Sequence, residues 1–142
     1  MSLNPIYYAQ LIPIFFISFL ITAQEADVNE IITKSILDTK LYEGTSFQPE
    51  SFDTFFVLNH GFDVTISDGL LVNGTPLTLI DKSELSAMGD TPYFLIHTFN
   101  IEDKKALVRL YLSFKSDGEE RTTNTELLFT KNNTNWTLIS PN

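Results

Sequence analysis

The stretch KKALVRLYLSFKSDGEERTTNTELLFTKNNTNWTLIS, Lys104–Ser140, decides the fold. It alternates apolar and polar residues, breaks at Asp117-Gly118, alternates again, breaks at Asn132-Asn133 and closes on Trp136. A period of two marks a strand with one buried face, and Asp-Gly supplies the positive φ angles of a tight hairpin turn. The stretch therefore predicts three antiparallel strands in series, and Pro92–Ile101 reads as a fourth strand ahead of them.

The turns set the register. A two-residue turn at Asp103-Lys104 puts Tyr93 opposite Phe114, Leu95 opposite Leu112, His97 opposite Leu110 and Phe99 opposite Val108. A two-residue turn at Asp117-Gly118 carries these rows to Thr123, Thr125 and Leu127, and a four-residue turn at Lys131–Thr134 adds Trp136 and Leu138. One face of the meander then collects most of the large apolar side chains, with His97 among them. A slip of one residue would scatter that set over both faces. The other face carries Phe94, Ile96, Leu107, Tyr111, Leu128 and Ile139, with Arg109 opposite Glu126 as a cross-strand pair. It is too apolar for contact with water alone and points to a partner surface, with homodimerisation the expected use.

Upstream, Val28, Ile31, Ile32 and Ile36 recur at helical spacing, which predicts an amphipathic helix over Ala26–Thr39. Leu41–Asp53 reads as a loop, and Pro49 opens a second short helix running through Phe55 and Phe56. Asn59-His60-Gly61 ends it, and Phe62, Val64 and Ile66 alternate as a strand. Asn73-Gly74 joins Leu70–Val72 to Leu77–Ile80 as a hairpin, and Pro76, which cannot donate to a ladder, puts that hairpin at a sheet edge. Asp81 and Glu84 form a capping box ahead of a helix of two turns that stops at Gly89.

The chain has 142 residues, 43% of them hydrophobic, which suits one domain with a real core. It has no cysteine, which excludes disulfides, thiolate metal sites and cysteine nucleophiles. A net charge of −9 without any basic run excludes nucleic acid as a partner. The first 24 residues carry no charged side chain, and Leu11–Ile21 is an apolar core followed by Thr22-Ala23-Gln24, with Ile21 and Ala23 at the −3 and −1 positions of a signal-peptidase site. Residues 1–23 therefore read as a cleaved leader and 24–142 as one secreted or periplasmic domain. The alternative is an uncleaved membrane anchor, because extending the apolar run back to Ile6 approaches the roughly 20 residues of a bilayer span.

The order of elements, long helix, possible second helix, hairpin, capped helix and four-stranded meander ending in Asn135-Trp136-Thr137-Leu138, resembles the cystatin-like α+β roll of the nuclear transport factor 2-like superfamily. The resemblance covers nearly the whole domain and rests on element order. It implies helices closed over a curved antiparallel sheet, a pocket beneath them, and an outer sheet face that dimerises. It also implies a range of functions, from isomerases, cyclases and dehydratases to non-catalytic binders.

His97, read on the inner face, is the candidate acid–base or ligand-bonding residue, and a core histidine satisfied by Thr125 is the plainer reading. Tyr93 is the matching hydrogen-bond donor if the chain is an enzyme. The isomerase pattern needs a carboxylate as well, and the inner face of the meander has none. No nucleophile elbow, phosphate loop or dinucleotide fingerprint is present, so no cofactor is expected. Asp53, His60 and Asp63 are too loosely spaced to predict a metal. The expectation is a non-catalytic domain that binds a small apolar ligand or a protein. Its pocket would be lined by Leu95, His97, Leu110, Leu112, Phe114, Thr125, Leu127 and Trp136.

Overall fold

The computed structural model describes residues 24–61 and 64–139. Helix α1 covers residues 24–36. Its Val28, Ile31, Ile32 and Ile36 are at most 1% exposed. Each such side chain contributes at most about 1.5–3 kcal/mol on burial. Packing of this apolar stripe against the sheet, more than intrinsic propensity, holds α1 in shape. At its end the Tyr42 hydroxyl donates to the Ile36 carbonyl at 2.6 Å, which satisfies one of the acceptors that a helix terminus leaves open.

Two short 3-10 turns follow, Thr39–Tyr42 and Pro49–Ser51. The helix expected through Phe55 and Phe56 is instead strand β1, Phe55–Leu58. The run Phe-Phe-Val-Leu is too short for a helix, and its aromatic and β-branched residues suit a strand buried on both faces. It lies parallel to both neighbours, β3 (Thr75–Ile80) and β4 (Tyr93–Glu102). The sheet is therefore mixed, where an antiparallel one was expected. In the strand expected over Phe62, Val64 and Ile66, Phe62 lies outside the described residues and Val64–Ser67 is not extended into a ladder. The Ser67 amide donates to the Asn29 side chain, so α1 takes a backbone donor that a ladder would have used, and the Ser67 hydroxyl donates to Glu25.

Strand β2, Leu71–Val72, and β3 form the expected hairpin at one sheet edge. Asn73 and Gly74 have φ of 49° and 83°, as a type I′ turn requires. Helix α2, Lys82–Ala87, carries the capping box: the Glu84 amide donates to Asp81 at 2.8 Å and the Asp81 amide to Glu84 at 2.9 Å. The Glu84 amide and the Ser83 hydroxyl hold the Asp81 carboxyl below its ordinary pKa.

The meander is completed by β5 (Lys105–Ser116), β6 (Glu119–Asn132) and β7 (Asn135–Ile139), and the sheet order is β2-β3-β1-β4-β5-β6-β7. Between β5 and β6 the register is the expected one, with Val108 opposite Leu127 and Leu110 opposite Thr125. The β6–β7 turn has two residues, Asn133 and Thr134, instead of four. The resulting slip is even, so Trp136 keeps the buried face.

Between β4 and β5 the register holds from the turn back to Thr98 and then breaks. Thr98 faces Arg109 and Ile96 faces Leu110, so His97 is the extra residue of a β-bulge. Every β4 side chain before the bulge is consequently reversed. Phe94 and Ile96 point inward and are buried, and Leu95 and His97 belong to the outer face. The pairs Tyr93–Phe114, Leu95–Leu112 and His97–Leu110 are replaced by Tyr93–Ser113, Leu95–Tyr111 and Ile96–Leu110. The whole is an α+β structure in which a strongly curled seven-stranded sheet, a half-barrel, wraps around α1.

Candidate functional site

The inner side of the sheet is filled. Leu110, Leu112, Leu127 and Trp136 are at most 2% exposed and form one apolar cluster with Val28, Ile31, Ile32 and Ile36 of α1. Towards β1 the space is occupied by rings: Phe52 stands 5.3 Å from Phe55 and 5.4 Å from Phe94, and Tyr42 packs on both Phe52 and Phe94. Thr125, the expected partner of His97, donates instead to Asp38 at 2.7 Å. Thr123 donates to the Leu41 carbonyl at 2.6 Å. These two threonines tie the segment after α1 to β6.

Of the expected pocket lining, the structure brings together Leu110, Leu112, Leu127 and Trp136, as core. It separates Leu95 and His97 from them by the thickness of the sheet. Phe114 is half-buried against Phe47, with ring centroids 5.4 Å apart. Grooves open at the surface among the described residues, and Phe114 of the expected lining borders two of them. Another, about 530 Å³, runs past Leu37, Tyr42, Phe47, Pro49 and Glu50.

His97 is exposed. Its Nδ1 lies 2.8 Å from the Thr98 hydroxyl, and its ring packs 5.8 Å from that of Tyr111. Tyr93 donates to Glu120 at 3.4 Å beside a hollow of about 140 Å³ that Ser113, Lys115 and Asp90 also border. The two residues named as candidate catalytic groups thus have different hydrogen-bond partners. Lys115 pairs with Asp90 at 2.9 Å, and that hydrogen bond raises its pKa. Among the described residues no group of three or more His, Asp or Glu side chains could hold a metal ion. Asp63 of the loose cluster lies outside the described residues.

The outer side is different. Leu107, Leu128 and Ile139 form one row across β5, β6 and β7. Leu128 is 50% exposed and Ile139 43%, while Leu138, on the inner face with Trp136 and Phe129, is 39% exposed at the end of β7. Arg109 donates to Glu126 from Nε at 2.9 Å in the adjoining row, as the sequence expectation had it. Ile96, expected on this face, is buried on the other. The most exposed large apolar residues of the meander therefore gather on the β6–β7 margin.

One arrangement at this margin has no trace in the local sequence pattern. The Asp27 carboxylate accepts from the Trp136 indole at 3.0 Å and from Lys131 at 3.0 Å, and Lys131 also lies over the Trp136 ring. One turn further along α1, Glu30 accepts from the Trp136 amide at 3.0 Å and Lys34 donates to the Trp136 carbonyl. Glu30 and Lys34 are themselves paired at 2.9 Å. More than 100 positions separate these partners along the chain, so only the fold reveals the pairing. Among the described residues no helix is long and apolar enough to cross a membrane. Comparison of the chain with protein family models, with curated proteins and with solved structures gives no match.

Proposed function

We propose that the chain is an exported, non-catalytic interaction domain built as a cystatin-like roll, and that its partner is a second copy of itself. The carrying observation is the contrast between the two sides of the sheet. The inner side is closed by α1 and aromatic rings, and the outer β6–β7 margin leaves Leu128 and Ile139 open to water. Exposed apolar rows of this kind are costly unless a partner covers them. A self-complementary patch closed by a two-fold axis is the commonest solution. Support for the roll comes from the element order and from α1 lying in a curled sheet. Support for export comes from the uncharged first 24 residues and the apolar run at Leu11–Ile21.

Sedimentation velocity on the purified chain tests the reading. The wild-type chain is expected to be dimeric at micromolar concentration. Leu128→Asp is expected to shift it to monomer, weakening association by at least about tenfold, or about 1.4 kcal/mol. A wild-type chain that sediments as a monomer throughout removes the proposal.

A further inference from the structure

Among the described residues, strand β7 is an edge strand and pairs only with β6. In an antiparallel ladder alternate residues turn their N–H and C=O to opposite sides. Asn135, Thr137 and Ile139 close the hairpin towards β6, so Trp136 and Leu138 turn theirs to the open side. The open-side groups of Trp136 are already taken: the amide donates to Glu30 and the carbonyl accepts from Lys34. This clasp stops any added strand before Trp136. Among the described residues, Leu138 keeps the one pair of outward backbone groups on β7 without a partner.

We infer that β7 pairs antiparallel with β7 of a second copy about a two-fold axis at Leu138, in a register imposed by the Glu30–Lys34 clasp. The inference rests on the proposed self-association and names its geometry. A hydrogen-bonded Leu138–Leu138 pair satisfies both open groups of each copy at once. A longer foreign strand would run into α1. The pairing also carries Ile139 and Leu128 into the interface, so the apolar row of the outer face is continuous with the joined edge. The clasp thereby turns an open edge, which would otherwise invite unlimited addition, into a site for one partner.

The absence of cysteine makes the test direct. Directly opposed residues in a hydrogen-bonded pair have Cα atoms about 5.5 Å apart, within the span that a disulfide bridges. Leu138→Cys is expected to form a covalent dimer under mild oxidation, and Ile139→Cys, whose opposite residue is Thr137, is expected not to. Opening the clasp with Glu30→Met and Lys34→Met frees Trp136, so the axis moves to Thr137 and two pairs of groups bond in place of one. Thr137→Cys in that background then becomes the linked position. Leu138→Pro removes the outward donor and leaves the β6 ladder whole; it is expected to fold and to dimerise at least about tenfold more weakly. A dimeric chain in which Leu138→Cys stays unlinked, or in which Leu128→Cys links instead, overturns the edge pairing and leaves self-association standing. A monomeric wild-type chain overturns both.

Discussion

Tyr42 lies 6% exposed between the rings of Phe52 and Phe94, with its hydroxyl donated to the Ile36 carbonyl. Burial first, and then the negative charge of Glu50 and Asp38, pushes the hydroxyl pKa well above the ordinary tyrosine value. A pKa raised on folding means that the folded chain holds its proton where the unfolded chain has lost it. The associated stability is complete below the unfolded pKa of about 10 and is lost as pH rises above it, by about 1.4 kcal/mol per pH unit. Tyr42→Phe is expected to cost about 1–2 kcal/mol at neutral pH, through the unsatisfied Ile36 carbonyl, and to flatten this alkaline limb. Urea unfolding of both chains from about pH 8 to about pH 11 measures it. Equal alkaline slopes would show that the hydroxyl titrates as freely in the folded chain as in the unfolded one. At this scale the sequence placed Trp136, Leu110 and Leu127 on the buried face, because turn chemistry fixed their parity. It could not show that Trp136 bonds Asp27 or that Thr125 bonds Asp38, since nothing local links β7 or β6 to α1 and the segment after it.

The bulge at His97 is one element that reading the sequence missed. Tyr93-Phe94-Leu95-Ile96 is apolar at every position, so either alternation buries a good set and the pattern does not choose. Past the bulge, the polar side chains of Asn100 and Glu102 set the parity, and the expected pairing there is correct. Removing His97 joins Ile96 directly to Thr98 and leaves Leu110 and Arg109 as their consecutive partners. A His97 deletion is therefore expected to fold, with stability within about 2 kcal/mol of the parent. Deleting Leu95 instead puts Phe94 out of phase with Ile96 and is expected to unfold the chain, at a cost of about 3–5 kcal/mol for an expelled core phenylalanine. Thermal unfolding of the two deletions decides the matter, and equal losses would mean that His97 is not a surplus residue. Strand β1 was missed for a related reason. Four apolar residues carry no period at all, and what makes them a strand is the pair of neighbours on either side, supplied by β3 and β4.

Across the whole molecule the strand order of the meander followed from its hairpins, whereas the insertion of β1 between β3 and β4 is a parallel crossover that no turn signals. The charge balance also belongs to this scale. All of the −9 net charge lies from Glu25 onward, so two domains brought together repel each other. Salt shortens the reach of that repulsion from about 30 Å at 0.01 M to about 8 Å at 0.15 M. Self-association is therefore expected to tighten severalfold over this range, measured by sedimentation at fixed protein concentration. Weakening with salt would mean that attraction between opposite charges, such as Arg109 and Glu126 on different copies, drives it.

The chain has one tryptophan, and it is held by Asp27, Glu30, Lys34 and Lys131 at the seam between α1 and β7. Its light emission is consequently a gauge of that seam. Any event that lifts the helix wets the indole and strips away its charged neighbours, so the colour shifts before the ribbons part. No dye or label need be attached to watch the helix come and go.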